Sequence, residues 1–270
     1  VICGTFCAIK TYGTRIDDMV MKRHMAMKIA FGENAKQVYG QQGKKAPMTR
    51  MAIAAMIREM LIKAQRYMQE LEAYEASDKA DKKPPAYDAK LEALIPVLRR
   101  EIPLKAHAHR ADDIFTACRI ANEFNLRISL DHCSEGHLIA DYLQQEGKPC
   151  IIGPTFVHPG KPEVRNKTFE TVKVLLEKGI LVAIITDSPV IPLEGLMLSA
   201  GLAIKAGAPE DKVWECITIN PAKIMGVDER VGSLEVGKDA DIVIHNGNPL
   251  LEICSSPAYT IIDGNIVYKA

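Results

Sequence analysis

The stretch IPLKAHAHRADDIFTACRIANEFNLRISLDH, Ile102 to His132, decides the fold. It reads as a short apolar strand, an amphipathic helix and a second short apolar strand, and both strands close on histidine. The same rhythm continues downstream. HLIADYLQQEG gives a helix after the second strand, PCIIGPT a third strand, and TFETVKVLLEKG its helix, with Thr168 as expected N-cap and Gly179 as stop. LVAIITD and LEGLMLSAGLAIKAG form a fourth unit. Short apolar strands that alternate with amphipathic helices indicate an α/β fold with a parallel sheet and helical crossovers. CAIKTYG and MKIAFGEN are expected to add two earlier strands.

Between those earlier strands and Leu104 the pattern changes. TRMAIAAMIREMLIKAQRYMQELEAYEA carries one apolar stripe through Ile53, Met56, Ile57, Met60, Leu61, Ala64, Tyr67, Met68 and Leu71 opposite a charged face, which predicts a helix. SDKADKKPPA then reads as a solvated linker, and YDAKLEALIPVLRR as a second helix kinked at Pro96. Toward the end, NPAKIMG has Asn220 as expected N-cap and Gly226 as terminator. ADIVIHNG and YTIIDGNIVY alternate as strands, with Asp263-Gly264 in a hairpin turn.

Bulk composition narrows the function. Hydrophobic residues make up 47% of the 270, enough for a sizeable core. Lys+Arg and Asp+Glu balance at 34 each, so nothing favours nucleic acid and a small-molecule substrate is expected. No apolar run reaches the roughly 18–20 residues a membrane span needs. The seven cysteines are scattered without a C-x-x-C, which points to a reduced, cytoplasmic setting.

His107, His132 and Asp187 each fall at or just beyond the C-terminal end of a strand, the rim where α/β active sites form. Zinc and related ions take histidine nitrogen and carboxylate oxygen, so these three are metal-ligand candidates. His109 shares a strand face with His107, since side chains at i and i+2 point the same way. His24, His137, His158 and His245 receive no role.

KAHAHRADDI, ISLDHCSEGH, AIITDSP, NPAKIMGVDERVGSLEVGKDADIVIHNGNPL and YTIIDGNIVYKA together resemble the metal-dependent amidohydrolase superfamily, nearest its imidazolonepropionase-like and prolidase-like members. GSLEVGKDADIV is the most specific part. The resemblance implies a (β/α)8 TIM-like barrel over residues 1–225, incomplete at its N-terminal side and carrying a helical insertion at about 44–100. Residues 226–270 would form a small C-terminal β-sandwich portion. It further implies hydrolysis of an amide, cyclic amide or dipeptide C–N bond by a metal-activated water, with zinc, as one or two ions, the expected cofactor.

Carried over residue by residue, His107 resembles the family's strand-five ligand and His132 its strand-six ligand. Asp187 resembles the strand-eight aspartate that touches the metal and handles the proton, and His109 a substrate contact or a partner that orients a metal ligand. An earlier-strand ligand is expected from Glu33 or from Lys28, with Glu33 preferred because it sits at the rim unmodified. The family's first-strand H-x-H has no counterpart, so the chain is expected to lack the family's N-terminal part. A deaminase, a non-catalytic barrel acting as scaffold, and a metal store or sensor remain as alternatives. A homo-oligomer is left open.

Overall fold

The computed structural model describes residues 1–78 and 83–270, so the expected linker over 77–86 lies partly outside the described residues. Six strands form one sheet in chain order: β1 (Ile2–Ile9), β2 (Val20–Ala30), β3 (Leu104–Ala108), β4 (Ile128–His132), β5 (Cys150–Ile152) and β6 (Val182–Ile184). Strands β2 to β6 run parallel. Helices Ala111–Glu123, Ala140–Glu146, Thr171–Glu177 and Leu196–Lys205 follow β3, β4, β5 and β6 in turn, so the four strand–helix units are present. β1 departs from the pattern by pairing antiparallel with β2. Only Lys10 to Met19 join the two, and a parallel pair needs a crossover of about a dozen residues or more.

The two faces of the sheet differ in chemistry. Met27, Ile29, Leu104, Ala106, Ile128, Leu130, Cys150, Ile152, Val182 and Ile184 share the main core with the helices. Fully buried side chains such as Ile29, Leu104 and Leu130 each contribute roughly 1.5–3 kcal/mol. Intervening residues face the other way. Lys28 pairs in register with Lys105, Lys105 with Ser129, and His107 with Asp131, so this second face is polar toward β2–β4. Asp131, 1% exposed, receives Lys28 Nζ and Lys105 Nζ, each at 2.7 Å. Burial alone would raise its pKa, but the two ammonium groups, Lys105 foremost, hold it below the usual carboxylate range.

Helix Arg50–Glu75 starts where Thr49 Oγ1 accepts the Ala52 N–H at 3.1 Å. It buries Ile53, Ile57, Leu61, Ala64 and Tyr67, so the stripe is core packing. YDAKLEALIPVLRR is not one kinked helix. It forms two single turns, Ala89–Glu92 and Ile95–Leu98, with Pro96 in the first turn of the second, where its missing N–H costs nothing.

Two expected caps are also revised. Helix Thr171–Glu177 begins three residues after Thr168, whose hydroxyl instead accepts the Glu170 N–H. Asn220 lies inside helix Ile219–Met225, and its Nδ2 donates to the Val182 carbonyl at 3.0 Å, tying that helix to β6. Gly179 and Gly226 end their helices at φ +70° and +66°.

β7 (Ile242–His245), β8 (Pro257–Ile262) and β9 (Asn265–Lys269) make a separate antiparallel sheet, where a sandwich portion was expected. Asp263 and Gly264 both have positive φ, as a two-residue type I′ hairpin requires. Lys10, just past β1, meets Asp239, Asp241 and Asp263 of this region.

Candidate metal centre

β3 brings His107 and His109 to the polar face by simple alternation. His132 reaches the same place by breaking it. Two residues beyond Leu130, it would normally face the helices. At φ +71°, however, it is the centre of a turn in which the Cys133 N–H bonds the Asp131 carbonyl at 2.9 Å. Such γ-turns are strained and rare. Alternation is inverted there: Cys133 enters the helix-side core, and the His132 ring lies against the other two histidines.

The ring centroids are 4.7 Å apart for His107–His109, 4.4 Å for His107–His132 and 4.7 Å for His109–His132. One nitrogen of each ring lies within 4.8 Å of the others, a spacing that fits one ion. All three side chains are buried. His132 Nδ1–H donates to the Gly153 carbonyl at 2.6 Å, so Nδ1 carries the proton and Nε2 the free lone pair. His109 Nδ1 is hydrogen-bonded to Ser134 Oγ at 2.8 Å, which leaves its Nε2 open as well.

Burial, reinforced by His132 and by Lys161 among the nearby cations, lowers the His109 pKa to about 2. Burial lowers those of His107 and His132 too. The rings are therefore neutral, the form that binds a metal. Clustered imidazole nitrogens, with Nε2 of His109 and His132 left without a partner among the described residues, suit zinc or a similar transition metal, so the residues present fit a metal.

Asp187 is exposed, follows β6 at φ +53°, and its charge acts on both His132 and Lys105. Glu33 stands at the rim after β2, but its carboxylate is paired with Lys36 at 2.9 Å and Arg50 at 3.2 Å. Lys28 is held by Asp131. Among the described residues, the metal-competent group contains the three histidines and neither Glu33 nor Asp187.

Residues around the centre that sequence reasoning did not single out come from distant segments. Ser134 holds His109, and Asn34 Nδ2 donates to His107 Nε2 at 3.3 Å. Arg50 gathers Glu33, Asp113 at 2.9 Å and Glu163 at 3.6 Å. Glu163 in turn accepts the Glu33 N–H at 2.8 Å. Asp113 and Glu163 are each 2% exposed, and burial raises both pKa values despite Arg50.

Comparison with known proteins gives a consistent picture. The model of the Amidohydrolase family matches residues 100–267. Over 252 residues the chain is 28% identical to the amidohydrolase tasK of Hapsidospora irregularis, covering 88% of this chain and 25% of that protein. It is 29% identical over 136 residues to an imidazolonepropionase of Thermoplasma acidophilum, covering 48% of this chain and 32% of that one. The chain thus spans a quarter to a third of these curated relatives. The crystal structure of an amidohydrolase from Thermotoga maritima MSB8 superposes with a TM-score of 0.94 at 39% identity, covering 100% of this chain and 69% of that one. A Xaa-Pro dipeptidase at 21% identity, with a TM-score of 0.51 over 67% of this chain and 48% of its own, shares the fold.

Proposed function

Because the chain belongs to the amidohydrolase family, we propose that it hydrolyses a C–N bond of a small molecule with the help of a divalent metal, most simply zinc. One observation carries this reading: three neutral, buried histidines meet at the C-terminal rim of adjacent parallel strands. An amide, a cyclic amide or a dipeptide is the substrate class. The cyclic amide draws support from the likeness to imidazolonepropionases.

In this proposal His107 and His132 hold the ion, with Asp187 as the carboxylate partner. His109 stands beside them toward the substrate; its Nε2 is equally open, so a third histidine ligand is the competing assignment. The pairing of Glu33 with Lys36 and Arg50 supports a positioning role for Glu33 over ligation. A metal bound there supplies Lewis acidity, which acidifies water and polarises a carbonyl. Asp187, exposed at the mouth, takes the proton from the attacking water and returns it to the leaving nitrogen. The Gly153 carbonyl and Ser134 hydroxyl keep the rings turned so that Nε2 faces the centre.

The five parallel strands are proposed to be part of a (β/α)8 barrel over residues 1–225, with 226–270 as part of a β-sandwich. A cytoplasmic setting is proposed as well. All seven cysteines are free, and no helix among the described residues is long and apolar enough to cross a membrane. The test is metal analysis of the purified protein followed by a panel of N-acyl amino acids, dipeptides and cyclic amides, with and without chelator. Chelator-sensitive release of amine from at least one member is expected. Turnover that survives complete metal removal refutes the proposal, as does a zinc-loaded protein inert on the whole panel.

A further inference from the structure

Asn34 has no role in the reaction as proposed so far, yet its side chain lies at the centre. Lys161 Nζ donates to Oδ1, and Nδ2 donates to His107 Nε2 at 3.3 Å. The two ends of the amide follow from chemistry. An ammonium has only donors, so the atom facing Lys161 must be oxygen, and the NH2 end faces histidine.

That contact differs from the other two. Gly153 and Ser134 hold His132 and His109 through Nδ1, whereas Asn34 meets His107 at Nε2, the nitrogen left open on the other rings. The donor therefore stands on the ligand side of the cluster. It is also firmly placed. Gly32, at φ +72°, opens the short turn Gly32–Ala35, and a Cβ there would run into the carboxylates of Glu163 and Asp113. Glu163 takes the next N–H, while Arg50 and Lys36 hold the Glu33 carboxylate. Charged side chains from three distant segments thus hold the turn that carries Asn34. Preorganised amide donors in a water-poor site are what stabilises charge developing on a carbonyl oxygen.

We propose that Asn34 is a catalytic residue whose Nδ2–H donates to the scissile carbonyl oxygen as it becomes an oxyanion, with Lys161 as the positioning residue that fixes the amide. The inference rests on the hydrolase reading above. In the step, the water oxygen bonds to the carbonyl carbon, the π pair moves onto the carbonyl oxygen beside Asn34, and the water proton passes to Asp187. The carbonyl then re-forms, the C–N bond breaks with its pair on nitrogen, and that nitrogen takes the proton from Asp187. The products are an acid and an amine.

The test compares the full chain with Asn34→Ala, Asn34→Asp, Lys161→Met and Lys161→Arg. Three quantities are read: kcat and KM on the best substrate of the panel, bound zinc, and calorimetric affinity of the zinc-loaded protein for methylphosphonate. Methylphosphonate is a tetrahedral anion whose binding needs no turnover. Asn34→Ala is expected to lose about 10²–10³-fold in kcat with KM within about threefold. Zinc content should be unchanged and methylphosphonate bound at least about tenfold more weakly. Asn34→Asp, near-isosteric but without donors, should behave alike, and Lys161→Arg should recover most of what Lys161→Met loses. Unchanged kcat or unchanged methylphosphonate affinity with zinc retained overturns the proposal. Loss of zinc from both Asn34 variants also overturns it, because Asn34 would then serve metal retention. A parent inert on the panel refutes the hydrolase reading instead, and the methylphosphonate comparison still decides whether Asn34 is an anion donor at the centre.

Discussion

Arg50→Met is the most demanding test of the charge network behind the centre. Methionine keeps most of the apolar stem but removes the guanidinium that Asp113 meets at 2.9 Å and Glu163 at 3.6 Å. Both acids are 2% exposed, so water cannot replace the lost partner. Removing one member of a buried pair typically costs about 3–5 kcal/mol. Glu163 keeps the Glu33 N–H, which places the expected cost near the lower end, roughly 3 kcal/mol at pH 7.5. The sign of the pH dependence follows from burial, which already raises both acids above their unfolded values.

Without Arg50 their folded-state pKa values rise further. A raised carboxyl contributes stability that is present below its unfolded pKa and lost as pH climbs through the folded one. The penalty should therefore be larger at pH 7.5 and fall to about 1 kcal/mol or less near pH 4.5. Urea unfolding, followed by the fluorescence of Trp214, the chain's single tryptophan, measures it at both values. A penalty below about 1 kcal/mol at pH 7.5 would show that the buried acids do not depend on Arg50. One that grows on acidification would show the sign to be wrong.

Three further outcomes can be checked. The metal-free protein should lose stability between pH 7 and pH 5. Burial holds His107, His109 and His132 neutral in the fold, while the unfolded chain protonates below about 6.5, a loss of up to roughly 2 kcal/mol at pH 5 for each of His107 and His109, with His132 adding in the same direction; a flat profile by urea titration contradicts the neutral cluster. Asp187→Asn should lower kcat by about 10²–10⁴-fold without moving the melting temperature, since the side chain is exposed; near-parental turnover would take the proton from Asp187's hands. Gly153→Ala should destabilise by about 2 kcal/mol or more, because at φ +132° its Cβ would strike the Ile185 carbonyl and displace the oxygen that holds His132; parental stability and zinc content together would contradict the tight approach of β5 and β6.

The parallel layer was legible because each strand carries its own evidence. LKAHA, ISLDH, CII and VAI are short apolar runs closed by turns, and each helix that follows has a self-contained period. His107 and His132 could be found the same way, from position at a strand end. What could not be read depends on pairs remote in the chain. Lys28 lies 103 residues from Asp131, Arg50 63 from Asp113, and Lys161 127 from Asn34. A charged residue in isolation reads as a solvated surface group, and only folding reveals that it is shared. Glu33 shows the same limit: its rim position was legible, but the cations of Lys36 and Arg50 beside it were not. The direction of β1 was hidden in connection length, since apolar alternation is the same in either direction.

The reversed alternation at His132 has a consequence for how such a chain would age. At φ +71° the backbone there is one that glycine occupies without strain and histidine does not, whereas Asp187 at φ +53° lies in the left-handed region that aspartate tolerates. If His132 serves catalysis as proposed, selection for folding alone would not keep histidine at that strained turn. Histidine would then be held there against a local backbone cost. Under the proposed function, a descendant freed from catalysis should change first at the His132 codon, before its hydrophobic core does.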